Sequence, residues 1–95
     1  DCKVNSDSST YKGETSQTIS GRKCQAWKQQ IPQKHNQDSG DYFVGGNLDN
    51  TGNKCRNPSN PFIPRNSWCY TVDVKQRREY CDVPFCVGQL MFVLV

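Results

Sequence analysis

Ser67-Trp68-Cys69-Tyr70-Thr71-Val72-Asp73 is the stretch on which the fold turns. Trp68–Thr71 is an aromatic segment with β character around a cysteine, and a second β-like run covers Glu79–Val83. A polar stretch through Lys75 and Gln76 separates them, so the two read as a hairpin. That hairpin brings Cys69 and Cys81 near one another in the core without making them partners.

Working outward, six cysteines lie in 95 residues, with spacers of 21, 30, 13, 11 and 4 residues between them. No CxxC pair occurs and His35 is the single histidine. Structural zinc sites bring their ligands as close pairs, so disulfides explain this pattern better and no metal is expected. Short extracellular domains are disulfide-dense, which places the chain in an oxidising compartment. Six cysteines can pair in about fifteen ways, and spacing alone leaves them open.

The staples answer a need. Only 34% of the residues are hydrophobic and the mean hydropathy is -0.84, while a chain this short buries about 60–70% of its unfolded surface. The core is expected around the two tryptophans, four tyrosines and four phenylalanines. Each disulfide adds about 3–5 kcal/mol by restricting the unfolded chain, depending on loop length.

Twelve basic against nine acidic residues give a net charge of +3. This permits attraction to an anionic partner but lacks the dense basic stripe of a nucleic-acid binder. Residues 1–20 are polar with no apolar signal core, so the chain reads as a mature fragment or excised domain. The most apolar run, Leu90–Val95, is far short of the roughly 20 residues of a membrane helix. Each of the eight asparagines fails the N-x-S/T pattern or, as in Asn57-Pro58-Ser59, has proline at x, so N-linked glycans are expected to be absent.

Residues 1–22 read as a loop-dominated lead-in with Tyr11 as its aromatic. Residues 24–31 carry too few apolar positions for a helix, and Pro32 would end one. Residues 33–53 suggest a long surface loop anchored by Tyr42, Phe43, Val44 and Leu48. Pro58, Pro61 and Pro64 stiffen the approach to the hairpin. One domain over residues 1–86 is expected, followed by an apolar tail at 87–95. The tail reads as a strand for a partner or self-association, the start of a further segment or membrane span, an expression remnant, or a run packed on its own domain.

TYKGETS (Thr10–Ser16), SGRKCQAW (Ser20–Trp27), NKCRNP (Asn53–Pro58), SWCYTVD (Ser67–Asp73) and REYCDVPFC (Arg78–Cys86) occur in that order. Together they resemble a kringle domain across residues 2–86. The closing CDVPFC is similar to kringles of Ror-type receptor tyrosine kinases, and the Arg77-Arg78 pair to the first kringle of prothrombin. The resemblance implies the pairing Cys2–Cys86, Cys24–Cys69 and Cys55–Cys81. It also implies a small all-β, loop-rich fold with the inner bridges at its centre, no catalysis, no cofactor, and a binding role in secreted proteins or receptor ectodomains.

Many kringles bind lysine, whose ammonium needs carboxylates, whose methylenes need aromatic walls and whose carboxylate needs a cation. In the family frame Trp68 and Tyr70 stand at the wall positions, with core packing as the alternative. Arg77 stands at the cationic end, with Lys34, His35 and Lys75 as additional cationic candidates. The anionic end is replaced: Ser59, Asn60 and Pro61 follow Pro58 where lysine-binding kringles carry two acids, and no Asp or Glu occurs from Thr51 to Val72. Arg78 stands where those kringles place a tryptophan, and a second guanidinium favours carboxylate or sulfate over ammonium.

The expected function is therefore a non-catalytic extracellular module for protein–protein interaction with a degenerate lysine site. A second reading has Arg77 and Arg78 contact heparin-like glycans or acidic partners, joined by Lys75, Arg22, Lys23, Arg56 and Arg65. A third class, a small secreted protease inhibitor or enzyme using the loop Pro58–Asn66, lacks a nucleophile, base and orienter set.

Overall fold

The computed structural model describes residues 1–59 and 66–86. The expectations for Asn60, Pro61, Pro64, Arg65 and the tail 87–95 lie outside the described residues. Two strands pair antiparallel, β1 (Trp68–Tyr70) and β2 (Arg78–Tyr80), with Trp68 opposite Tyr80, Cys69 opposite Glu79 and Tyr70 opposite Arg78. Each is shorter than its sequence suggests. Thr71 ends β1 because its buried hydroxyl turns the chain: its one proton is shared between the carbonyls of Asp73 and Gln76, and its oxygen accepts the Asp73 N–H.

The flanks of β1 set the disulfides. Arg56 and Trp68 exchange both backbone hydrogen bonds, at 2.8 and 3.1 Å, and Cys24 bridges to Thr71. These contacts draw the segments of Cys55 and Cys24 to the hairpin that carries Cys69 and Cys81. The bridges Cys24–Cys69 and Cys55–Cys81 form as the resemblance implies, and they cross with Cys24 Sγ 3.7 Å from Cys55 Sγ. All four cysteines are at most 4% exposed. Cys2–Cys86 closes the outer frame, beside a short parallel bridge between Lys3 and Phe85.

Trp27 is the hub of the aromatic core. Its ring meets Phe43, Trp68 and Tyr70 edge-on, at centroid distances of 4.9, 5.0 and 5.7 Å, and its Nε1–H donates to the Lys54 carbonyl at 2.7 Å. Tyr11 and Val83 complete the buried cluster, with Tyr42 and Leu48 packed against it. Tyr80 and Phe85 stay about half exposed, 44% and 47%. The aromatic residues therefore do not all reach the core.

The segment 33–53 holds more than a loop. A 3-10 turn at Gly40–Tyr42 is capped by the Ser39 side chain, and the four-residue helix α1 (Leu48–Thr51) is capped by Asn47 Oδ1, which accepts from the Asn50 N–H at 2.9 Å. Gly40 permits the fold-back between them, since a Cβ there would lie 2.8 Å from the Gly46 carbonyl oxygen. Gly52, at φ 56°, ends α1 in the left-handed region and offers its carbonyl to the Trp27 N–H at 2.8 Å.

Ten polar or charged residues are buried among the described residues. Asn66 Oδ1 accepts from Lys3 Nζ, Ser8 Oγ and the Ser67 N–H, at 2.9, 2.8 and 2.8 Å. That one oxygen ties the N-terminal segment to the entry of β1.

Candidate functional site

β1 supplies Trp68 and Tyr70, and both are buried, at 2% and 3% exposure. The two rings meet edge-on at 5.0 Å. Their outer sides are covered by cations: the Arg77 guanidinium lies 5.1 Å from the Tyr70 ring centroid and that of Arg78 lies 6.0 Å from Trp68. Such stacking is favourable by about 0.5–2 kcal/mol, according to how far the pair is desolvated. Where a lysine pocket needs two open aromatic walls, this face presents two guanidinium groups.

His35 completes the cluster. Its ring stacks on Tyr70 at 4.5 Å and 17° and is fixed by the loop around it. Nδ1 accepts the Gln37 N–H at 3.0 Å while Nε2 lies 2.8 Å from the Gln29 carbonyl, so the proton sits on Nε2. Lys34 and Lys75 are exposed on the adjoining loops. Ser59 is exposed too, and its N–H donates to the Tyr42 carbonyl at 2.7 Å. Trp68, Tyr70, Arg77, Arg78 and His35 thus come together, while Pro61 lies outside the described residues.

A second charged group escaped the sequence reading. Arg22 Nε donates to Asp73 Oδ2 at 2.9 Å, and Arg22 Nη1 lies 3.4 Å from Glu79 Oε2. The Lys75 N–H, at 2.9 Å, and Arg22 hold the Asp73 carboxyl below its ordinary range. The hydroxyls of Thr18 and Ser20, then Arg22, do the same for Glu79. Asp73 in turn raises Arg22. No local signal announces partners 51 and 57 residues apart.

Of the other basic candidates, Arg56 is only 6% exposed and its Nη1 donates to the carbonyls of Gly13 and Cys55, at 2.9 and 2.7 Å. Burial lowers its proton affinity. It serves as a strut under Tyr11, whose ring centroid is 5.4 Å from its Cζ. Among the described residues, the close group of metal-type ligands is Cys24, Cys55, Cys69 and Cys81. Their sulfurs are spent in the two inner bridges, so they offer no thiolate.

The kringle domain model matches residues 2–86. Plasminogen of Capra hircus is 39% identical over 77 residues, which are 81% of this chain and 58% of that sequence. The chain therefore spans less than two thirds of the length of that relative. With the match running across all three formed disulfides, the chain belongs to the kringle family.

Proposed function

We propose that this domain is a non-catalytic, extracellular protein-binding module whose lysine pocket is degenerate. Arg77 and Arg78 standing over Tyr70 and Trp68 carry this reading. Their guanidinium groups lie 5.1 and 6.0 Å from the two ring centroids that a lysine chain would need open, and no acid occurs from Thr51 to Val72 to receive its ammonium. Like charge and filled walls act in the same direction. Calorimetric titration with lysine and with 6-aminohexanoic acid is expected to show no binding tighter than about 1 mM. A tighter constant would overturn the reading.

The exposed cations of the hairpin favour a second reading, in which Lys75, Arg77 and Arg78 contact a heparin-like glycan. The commitment of Arg22 to two carboxylates and of Arg56 to backbone carbonyls leaves that surface fewer charges than the sequence counts. Retention on heparin-agarose at physiological salt, lost on replacing both Arg77 and Arg78, would support it. Flow-through of the unaltered domain would remove it.

A further inference from the structure

We propose that the turn after β1 is a cleavage site for a trypsin-like serine protease, which hydrolyses the Lys75–Gln76 bond and leaves a two-chain domain held by its disulfides. An enzyme of that class seats a basic side chain in its specificity pocket, and exposed loop tips are where such cutting concentrates. Residues 72–78 present one. Val72 and Val74 are 51% and 75% exposed, Lys75, Arg77 and Arg78 are exposed, and Asp73 and Gln76 are half-buried. Among the described residues, no donor reaches the carbonyls of Val74 or Lys75.

The turn is closed largely by its own atoms. The Lys75 N–H donates to Asp73 Oδ1 at 2.9 Å and the Gln76 N–H to the Asp73 carbonyl at 3.0 Å, while the Thr71 hydroxyl proton is shared by the carbonyls of Asp73 and Gln76. Its base is the bond from the Thr71 N–H to the Arg77 carbonyl, at 3.1 Å. The ties from outside, Arg22 Nε to Asp73 Oδ2 and Gln33 Nε2 to the Asp73 carbonyl, both end on Asp73, upstream of the bond to be cut. Drawing residues 74–77 into a cleft therefore breaks bonds at the surface and displaces no member of the buried core. Local opening of that kind costs far less than unfolding.

Of the exposed lysines in the described chain, Lys75 alone has no buried residue within two positions on either side. Lys12, Lys28 and Lys34 directly follow the buried Tyr11, Trp27 and Gln33, and Lys23 precedes the disulfide-bonded Cys24. Extending the chain around any of these would pull on the interior. Arg77 and Arg78 share the exposure of Lys75 but sit in the hairpin, where the Arg77 carbonyl accepts the Thr71 N–H and Arg78 pairs opposite Tyr70.

Hydrolysis adds one water across the bond, leaving a carboxylate on Lys75 and an ammonium on Gln76. Residues 76–95 then stay attached through Cys55–Cys81 and Cys2–Cys86, so no fragment is released. The new chain end falls one residue before Arg77, whose guanidinium lies over Tyr70. The cut thus loosens the arginine-bearing edge of the domain while the disulfide frame stays closed.

Limited trypsin digestion of the full chain with its disulfides intact, followed by mass spectrometry before and after reduction, tests this. The first product is expected to be heavier by one water and to separate on reduction into 1–75 and 76–95. Lys75→Gln should slow the loss of uncut chain about tenfold or more, whereas Lys12→Gln should leave it unchanged. Near-UV circular dichroism verifies that each variant is folded. A first cut after any other basic residue would overturn the inference. So would loss of uncut Lys75→Gln chain at the parent rate, or a folded parent chain that resists trypsin while its reduced, unfolded form is cut at Lys75.

Discussion

The side chain of Gln25 pairs with the main chain of Gln33 in both directions: the Gln33 N–H donates to Gln25 Oε1 at 2.8 Å, and Gln25 Nε2 donates to the Gln33 carbonyl at 2.9 Å. A further bond from Nε2 reaches the Gln29 carbonyl at 2.9 Å. Gln33 continues the chain of contacts, since its own Nε2 donates to the carbonyls of Thr71 and Asp73, at 3.3 and 3.0 Å. A carboxamide thus stands in for a strand partner, and through it the loop 29–33 holds the turn after β1. Replacing Gln25 by Ala strands a buried N–H and leaves two carbonyls without this donor. The expected cost is about 2–3 kcal/mol, read in urea unfolding as a lower midpoint at unchanged slope.

Ser67 should behave in the opposite sense. It is fully buried and its Oγ has no hydrogen-bond partner, while its N–H and carbonyl are both used. Ser67→Ala removes a desolvated hydroxyl without breaking a bond, so stability should be unchanged or rise by up to about 1 kcal/mol. Ser67→Pro should instead destabilise, because the bond from the Ser67 N–H to Asn66 Oδ1 is lost. A fall in the thermal midpoint of the alanine variant would show that the hydroxyl is satisfied in solution.

The three disulfides should yield to a reductant in order of access. The sulfurs of the inner bridges lie under the aromatic cluster, whereas Cys2 is exposed and Cys86 partly so. Limited dithiothreitol followed by alkylation and peptide mass mapping should label Cys2 and Cys86 first. Labelling of Cys24 or Cys55 ahead of them would contradict the burial pattern. Loss of the outer bridge, which spans 84 residues, should lower stability by about 4.5 kcal/mol.

Acid should loosen the Arg22 cluster. The Asp73 and Glu79 carboxyls are held below their ordinary values in the folded chain, so their contribution is complete above the unfolded carboxyl range of about pH 4. It is lost as the pH falls through the lower folded values. These groups are solvent-accessible, so the effect is modest and is screened by salt. The unfolding midpoint should therefore decline below about pH 4, and Arg22→Gln should flatten that decline. A variant curve parallel to that of the parent chain would discount the cluster.

How much of this was legible beforehand depends on whether a feature is carried by residue type or by placement. That the cysteines form disulfides, and that a hairpin carries Trp68 and Tyr70, was legible in residue type, whereas the pairing was legible only through the resemblance to a kringle, since spacing leaves about fifteen open. The replaced acids after Pro58 were also visible as letters. What was hidden was the use of polar side chains: Gln25, Gln33 and Arg56 look like surface residues, and only their hydrogen bonds make them interior ones, while the half-buried Asn66 gathers three donors. The Arg22–Asp73–Glu79 group was hidden for the same reason, since its members meet only after the chain has folded. Thr71 likewise reads as a strand residue until its hydroxyl is seen to close the turn.

The Cys2–Cys86 bridge has a mechanical side. The Cα atoms of these two residues are 4.9 Å apart, so tension applied through chain attached on either side crosses the domain within one covalent link. The hairpin, the aromatic core and the inner bridges hang from that link as a side branch and carry none of the load. Reducing the outer bridge would reroute the pull through Lys3 and Phe85 into the fold itself.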